Sequence, residues 1–252
     1  MRNETVVPIE RLKEEPFASV LCYPKCGRVE LEERLEEMQN LNVEAIEFAG
    51  KTSVFNVPVL GKGHVGIVVI GHTKGKRIAL KIRRVDADRN GLQHEARMLT
   101  IANSVLVGPQ LGDVSQNFLL TQFIKGEVIT EWLGGNIEEA CLRRVLEEVL
   151  EQCWRLDSVA LDHGELSHAP KHLIIDKEEK PFIVDFETAS TKRRPANVTS
   201  ICQFLFVGGF PSLKVEEVLG KRVTSEIVEA ARLYKKLRSR SNFESLLQTC
   251  LV

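Results

Sequence analysis

The stretch VLGKGHVGIVVIG, residues 59–71, sets glycines at Gly61, Gly63 and Gly66 inside a run rich in valine and isoleucine. Glycine leaves backbone N–H groups uncovered, so such a loop can approach a phosphate; it can equally make an ordinary hairpin turn. Two phosphate-binding fingerprints are excluded by context. A dinucleotide loop puts its glycines at a strand-to-helix turn, with an acidic residue about 20 positions on. Here IVVIG after Gly66 is β-branched and continues as a strand. A Walker loop fails as well, because GHTKGKR has the wrong spacing and an arginine where Ser or Thr binds magnesium. One strand later, IALK at 78–81 offers Lys81, and a lysine drawn out of water needs a counter-charge. Glu95, in QHEARML, can supply one. HEARM is not a zinc motif, since Met98 stands where the second histidine belongs. Further on, LDHGELSHAPKHLII (161–175) and IVDFETAS (183–190) set carboxylates and imidazoles beside apolar runs.

These residues need elements to hold them. VELEERLEEMQNL carries Leu31, Leu35, Met38 and Leu41 on one helical stripe, with glutamates opposite. VEAIEF, SVFNVPVLG, GIVVIGHT and RIALKIRR follow as β-rich runs between glycine or charged turns, which predicts an antiparallel meander. A helix is expected over GLQHEARMLTIANS and another strand over NFLLTQFI. The pattern then turns helical: Ile137, Cys141, Leu142, Val145, Val149 and Cys153 form one apolar face. KHLIID and PFIVDF bracket the turn KEEK, and helices around SICQFLF and SEIVEAARLYKKLRS finish the chain. A sheet-rich first half joined to a helix-rich second half suggests two lobes with a cleft between them.

Composition bounds the possibilities. The 252 residues suffice for one large domain or two lobes, and a formal net charge of −1 gives no global argument for nucleic acid or membrane partners. Cys22, Cys26, Cys141, Cys153, Cys202 and Cys250 are too sparse for a disulfide scaffold. Cys22 and Cys26 are the close pair, but no Cys or His follows until His64, so a loop ahead of a helix is expected there rather than a zinc site. The opening MRNETVVPIE has no apolar signal core, and no apolar run approaches the ~20 residues of a membrane span. A cytoplasmic protein is the simplest expectation.

Taken in order, the glycine run, IALK, HGEL and DFE resemble the protein-kinase superfamily. The H-G-[DE]-L and D-F-E forms are most similar to RIO-like atypical serine/threonine kinases and to lipopolysaccharide- or aminoglycoside-kinase relatives. The resemblance runs from about Val59 to Phe206. It implies an α+β bilobal protein-kinase-like fold, with an antiparallel N-lobe at 53–125 and a mainly helical, truncated C-lobe at 126–252. Residues 1–52 would be an N-terminal extension packing on the N-lobe. It further implies ATP with Mg²⁺ or Mn²⁺ as cofactors and a protein serine or threonine hydroxyl as acceptor. Gly61, Lys62, Gly63 and Gly66 would approach the phosphates, Val68 would cover the base, and Lys81 paired with Glu95 would hold the α- and β-phosphates. Backbone groups around Gln122–Ile124, in LLTQFIKGE, would pair with adenine.

Asp185 would bind the cation and Glu165 would stand at the catalytic-base position, where protein kinases carry aspartate. The family places asparagine five residues after that acid; here the position is Pro170. His172, seven residues on, reads as the replacement after a two-residue insertion, and imidazole suits Mn²⁺ better than Mg²⁺. After DFE there is no A-P-E sequence, and TASTKRRPANVTS runs almost directly into a helix. Lys192, Arg193 and Arg194 suggest either a site for an acidic partner or a solvated loop. Two rivals share these residues: a kinase for a sugar, lipid or antibiotic hydroxyl, and a nucleotide-binding pseudokinase scaffold without phosphotransfer.

Overall fold

β-branched residues at alternate positions fold the first part of the chain into antiparallel sheet. In the computed structural model, which describes residues 5–252, the chain is α+β and clusters into two compact units, 5–97 with 110–123, and 98–109 with 124–252. The first four residues of the expected N-terminal extension lie outside the described residues.

The first unit opens with β1 (Thr5–Pro8), α1 (Phe17–Leu21), α2 (Arg28–Asn40) and β2 (Ala45–Phe48). A small hairpin follows, β3 (Thr52–Val54) and β4 (Val57–Val59), turned by Phe55 and Asn56 with φ of 49° and 63°. Sequence pattern read this stretch as a single strand. The two left-handed residues break it, which asparagine tolerates and phenylalanine resists. Then come β5 (Gly61–Lys62), β6 (Gly66–Thr73), β7 (Lys76–Arg83), α3 (Gln93–Ser104), β8 (Leu111–Val114) and β9 (Phe118–Gln122). The main sheet runs β1-β2-β6-β7-β9-β8, with β5 added along β6, all antiparallel.

Residues 1–52 were expected as an extension lying on a lobe. Instead β1 and β2 are strands of the lobe's own sheet, Ala45–Glu47 pairing with Ile70–His72. More than half of the buried residues in the core beneath it come from this segment, Val7, Leu12, Val20, Leu21, Met38, Ile46 and Phe48 among them. Helix α2 presents the expected stripe, but it also buries Arg34 completely. That guanidinium donates to Leu21 O and Arg83 O at 2.7 Å, Asn117 Oδ1 at 3.2 Å and Glu30 Oε1 at 2.6 Å. A buried charge survives only when its donors are met this fully.

The second unit contains β10 (Gly126–Val128), α4 (Ile129–Trp132), α5 (Glu139–Ser158), β11 (Leu173–Asp176), β12 (Pro181–Ile183), α6 (Asn197–Phe206), α7 (Phe210–Leu219), α8 (Thr224–Lys236) and α9 (Arg240–Leu251). Its β10-β11-β12 sheet is antiparallel and packs on α5, whose buried face includes Leu142, Val145, Leu146, Val149 and Cys153. Gly126 has no room for a Cβ, which would fall 2.1 Å from Ile175 O. Asp157, at the end of α5, accepts from Asn197 N at 3.0 Å, Asn197 Nδ2 at 2.8 Å and Tyr234 Oη at 2.9 Å. Burial pushes its carboxyl pKa up despite those donors. Among the described residues, no single helix is long and apolar enough to cross a membrane, and no cysteine is in a disulfide.

Candidate functional site

The chemistry-bearing residues form two constellations, one in each unit. In the first unit, β5 and β6 close around a four-residue turn with Gly63 N donating to Gly66 O at 2.8 Å. The glycine run is therefore a strand–turn–strand hairpin. Directly opposed residues of an antiparallel sheet share a face, and the register puts Gly61, Val68, Lys81 and Leu119 in one row. The three glycines are not equivalent. A Cβ on Gly61 would meet nothing within 4 Å, whereas one on Gly66 would sit 2.9 Å from Ile82 O and 3.0 Å from Lys81 Cγ. Gly66 has no room for a Cβ because the Ile82 carbonyl oxygen and the Lys81 side chain both lie against it.

Lys81 Nζ donates to Glu95 Oε2 at 2.7 Å, with side-chain exposures of 11% and 8%. The helix supplying Glu95 is anchored by Leu92 and Ala96, which pack with Val65 and Leu119. Lys62 Nζ donates to Tyr23 Oη at 2.6 Å and stands 4.3 Å above the ring. Arg84 stacks on the same ring and donates to Gly63 O at 3.0 Å. Tyr23 and Arg84 thus tie down the glycine hairpin, and sequence reasoning missed both. Nothing in the spacing of a tyrosine 38 residues ahead of Gly61 announces it, although Arg84, directly after β7, carried a signal by proximity. Gln122 N–H donates to Gln110 O at 2.8 Å within the sheet. Ile124 begins the second unit's share of the chain.

In the second unit the 161–172 segment is a folded loop. Asp162 and Ser190 form a β-bridge through two backbone hydrogen bonds of 2.8 and 3.0 Å. Gly164 has φ +92°, and a Cβ there would lie 2.6 Å from Arg193 Nη2, so only glycine fits. Arg193 Nε donates to Asp162 Oδ2 at 2.8 Å and its Nη2 to Thr188 O at 2.7 Å. Arg194 donates to Lys235 O. Two of the three residues in the basic run are therefore structural clamps.

After a 3-10 turn at Leu166–His168, His172 N donates to Ala169 O, and Val184 N donates to His172 O at 3.0 Å. The hairpin β11–β12 then brings its flanking residues together. His172 Nε2 lies 3.3 Å from Glu165 Oε2, and His172 Nδ1 lies 3.9 Å from Asp185 Oδ2. Asp185 has φ +68°, a left-handed conformation that costs free energy and is held only where its surroundings enforce it. His163 is fully buried beside them, its ring 5.5 Å from His172 and 5.1 Å from Phe186, both edge-on. Its Nε2 meets Val184 O at 3.1 Å. Burial, reinforced by neighbouring His172, lowers its pKa to about 4. His163 is a neutral wall of the cluster rather than a charged participant. Next to the same turn, Ser167, His168 and Pro170 face Gln203, Phe204 and Pro211 across an open cavity of about 430 Å³.

No family model matches the chain. Over 118 residues, 46% of this chain and 99% of the relative, it is 30% identical to an uncharacterized protein of Methanocaldococcus jannaschii. The chain belongs to that protein's family. The shared segment is just under half of the present chain, and the relative's description names no activity. Kinship is thus established without chemistry, which must be argued from the two constellations.

Proposed function

We propose that the chain is an ATP-dependent phosphotransferase of protein-kinase-like fold, of the atypical RIO-like kind, with a protein serine or threonine hydroxyl as acceptor. The observation that carries this reading is the 2.7 Å ion pair of Lys81 with Glu95, made by a strand lysine lying across Gly66 of a glycine hairpin. A buried ammonium held by a carboxylate beside uncovered backbone is suited to the α- and β-phosphates of a nucleotide. Asp185 and His172 supply an oxygen and a nitrogen ligand for the accompanying divalent cation. Glu165, 39% exposed, orients the acceptor hydroxyl and takes its proton. Phosphoryl transfer through a loose transition state asks mainly for positioning and charge neutralisation, which these residues provide. The reading also makes this a cytoplasmic enzyme, in keeping with six cysteines that remain thiols.

The test is radiolabelled ATP turnover with Mg²⁺ and Mn²⁺ separately, using generic acidic and basic acceptor proteins. Label on the acceptor that is lost in Asp185→Ala and kept in the surface variant Glu178→Gln supports the assignment. Equal turnover in both variants rejects it. ATP-induced thermal stabilisation without product under either metal would identify a nucleotide-binding scaffold instead.

A second reading has one observation in its favour. The 430 Å³ cavity beside the Glu165 turn falls within the size range of small-molecule sites. A sugar, lipid or antibiotic hydroxyl would then be the acceptor. ADP release stimulated by small hydroxyl compounds, and unaffected by acceptor proteins, would favour this alternative.

A further inference from the structure

The register of the main sheet divides the glycine hairpin between two faces. Gly61 and Val68 share the face of Lys81, whereas Lys62 stands in the adjoining row with Ile67, Ile82 and Phe118. Neighbours along a strand alternate, so the Lys62 side chain leaves the sheet on the side away from Lys81. Ile67, Ile82 and Phe118 belong to the buried core, and Tyr23 packs against it. The Lys62 ammonium is thus committed to Tyr23, 2.6 Å from its Oη and 4.3 Å from the ring centre. On the same side, Arg84 lies 5.0 Å over the Tyr23 ring, grips Asp86 through Nε and Nη2, and spends Nη1 on Gly63 O. Val85 N donates to Tyr23 O at 2.9 Å. Phe55, its ring centre 5.4 Å from that of Tyr23, sits at the tip of the β3–β4 hairpin with φ of 49°. Phenylalanine resists that backbone and keeps it only where its surroundings enforce it. One side chain from the α1–α2 loop therefore joins the glycine hairpin, the exit of β7 and a strained turn.

We infer that Tyr23 is a positioning residue for the nucleotide: it fixes the glycine hairpin from the back of the sheet, and the Lys62 side chain acts through Tyr23 rather than as a phosphate ligand. The inference rests on the phosphotransferase reading for its purpose, but the tether itself stands without it. A hairpin already held in place has less ordering entropy to lose when phosphates arrive. A loosened hairpin loses that entropy on binding, and is ordered all the same once ATP saturates it. Loss of Tyr23 therefore belongs in the KM for ATP and not in kcat. Adenosine has no phosphates for the hairpin to meet, so its binding is indifferent to Tyr23.

The experiment uses the full chain and combines steady-state ATP kinetics, equilibrium binding of ATP and of adenosine, and hydrogen exchange across residues 61–66 without nucleotide. Tyr23→Ala should raise the KM for ATP and weaken ATP binding about tenfold, the loss of a charge-assisted hydrogen bond and two cation–π contacts. Its kcat should stay within about twofold of wild type, and adenosine binding should not change. Tyr23→Phe keeps the ring and should fall about threefold short of wild type. Exchange across the hairpin should quicken about tenfold in Tyr23→Ala, with peptides from α5 unaffected. Lys62→Met should match Tyr23→Phe, and the two substitutions together should be no worse than either alone. Additive losses would make Lys62 a phosphate ligand and overturn the route through Tyr23. Equal losses for ATP and adenosine, or a lower kcat at unchanged KM, would overturn the positioning role and leave Tyr23 a packing residue. Unchanged exchange in Tyr23→Ala overturns the tether. Should circular dichroism show that Tyr23→Ala does not fold, Tyr23→Phe and Lys62→Met decide the same points. If exchange quickens but wild type binds no ATP, the phosphotransferase reading fails while the tether stands.

Discussion

The two charged constellations differ in how complete they are. Lys81 and Glu95 meet at 2.7 Å and are almost wholly withdrawn from water. Glu165, His172 and Asp185 are spaced at 3.3 and 3.9 Å, are more open, and leave an imidazole nitrogen without a partner. The first is a closed pair: removing either member takes a close counter-charge from a group withdrawn from water. The second is held by the backbone around it, through the Asp162–Ser190 bridge and the left-handed turn at Asp185. A closed, buried pair bears on stability and function together, whereas a more open cluster bears chiefly on function.

The contrast is sharpest at Asp185. Asparagine tolerates the same left-handed backbone, so Asp185→Asn should leave the melting temperature within a degree or two. Phosphotransfer should fall by about 10²–10³-fold, as expected when a preorganised electrostatic group is removed. A large drop in melting temperature with turnover preserved would erase the distinction. At the closed pair the order reverses. Glu95→Leu should cost roughly 3–5 kcal/mol of stability in denaturant titration, because Lys81 is left buried without that carboxylate. Adding Lys81→Met should recover most of that loss while ATP binding remains abolished. If the double variant is no more stable than the single one, the pair is not the stabilising unit described.

A smaller effect is expected at the hairpin itself. Gly66→Ala drives a Cβ against the Ile82 carbonyl oxygen and the Lys81 side chain and should cost about 1–3 kcal/mol with weakened ATP binding. Gly61→Ala, facing open space, should stay within about 0.5 kcal/mol in the same urea melts. Equal costs would mean that the backbone and side-chain crowding at Gly66 is relieved without penalty. The smallest effect concerns pH. The Asp157 pKa is raised in the folded state, so the native chain holds a proton that the unfolded chain has released. Stability should therefore rise as pH falls from the raised pKa toward the ordinary value of 3.8. Asp157→Asn should lack that rise in thermal melts taken across the acid range; an unchanged acid profile would locate the effect elsewhere.

How legible this was from sequence depends on how local each signal is. Strands β6, β7 and β9 are dense in valine, isoleucine and leucine and could be read directly. Strand β8, LGDV, is short and polar, and β10, GEV, is defined by pairing with β11 almost fifty residues later. Neither carries its own pattern. Helices α7 and α9 follow short breaks that merge with their neighbours in a hydrophobicity reading. The meeting of His172 and Asp185 was accessible because they flank the two strands of one hairpin, and a hairpin returns its ends to the same place. Arg34 and Tyr23 were not, since their partners lie far along the chain and ordinary periodicity assigns a charged helix residue to solvent.

The place of β1 and β2 in the main sheet has a practical bearing on anyone trimming this protein to a minimal fragment. Cutting before residue 53, where the glycine-bearing segment begins, would bare the outer edge of β6 at Ile70–His72 and uncap a large apolar floor. Such a fragment would offer an unguarded template to the same edge of another copy. It would be expected to precipitate or pair with itself, and a silent assay on it would report the truncation rather than the chemistry.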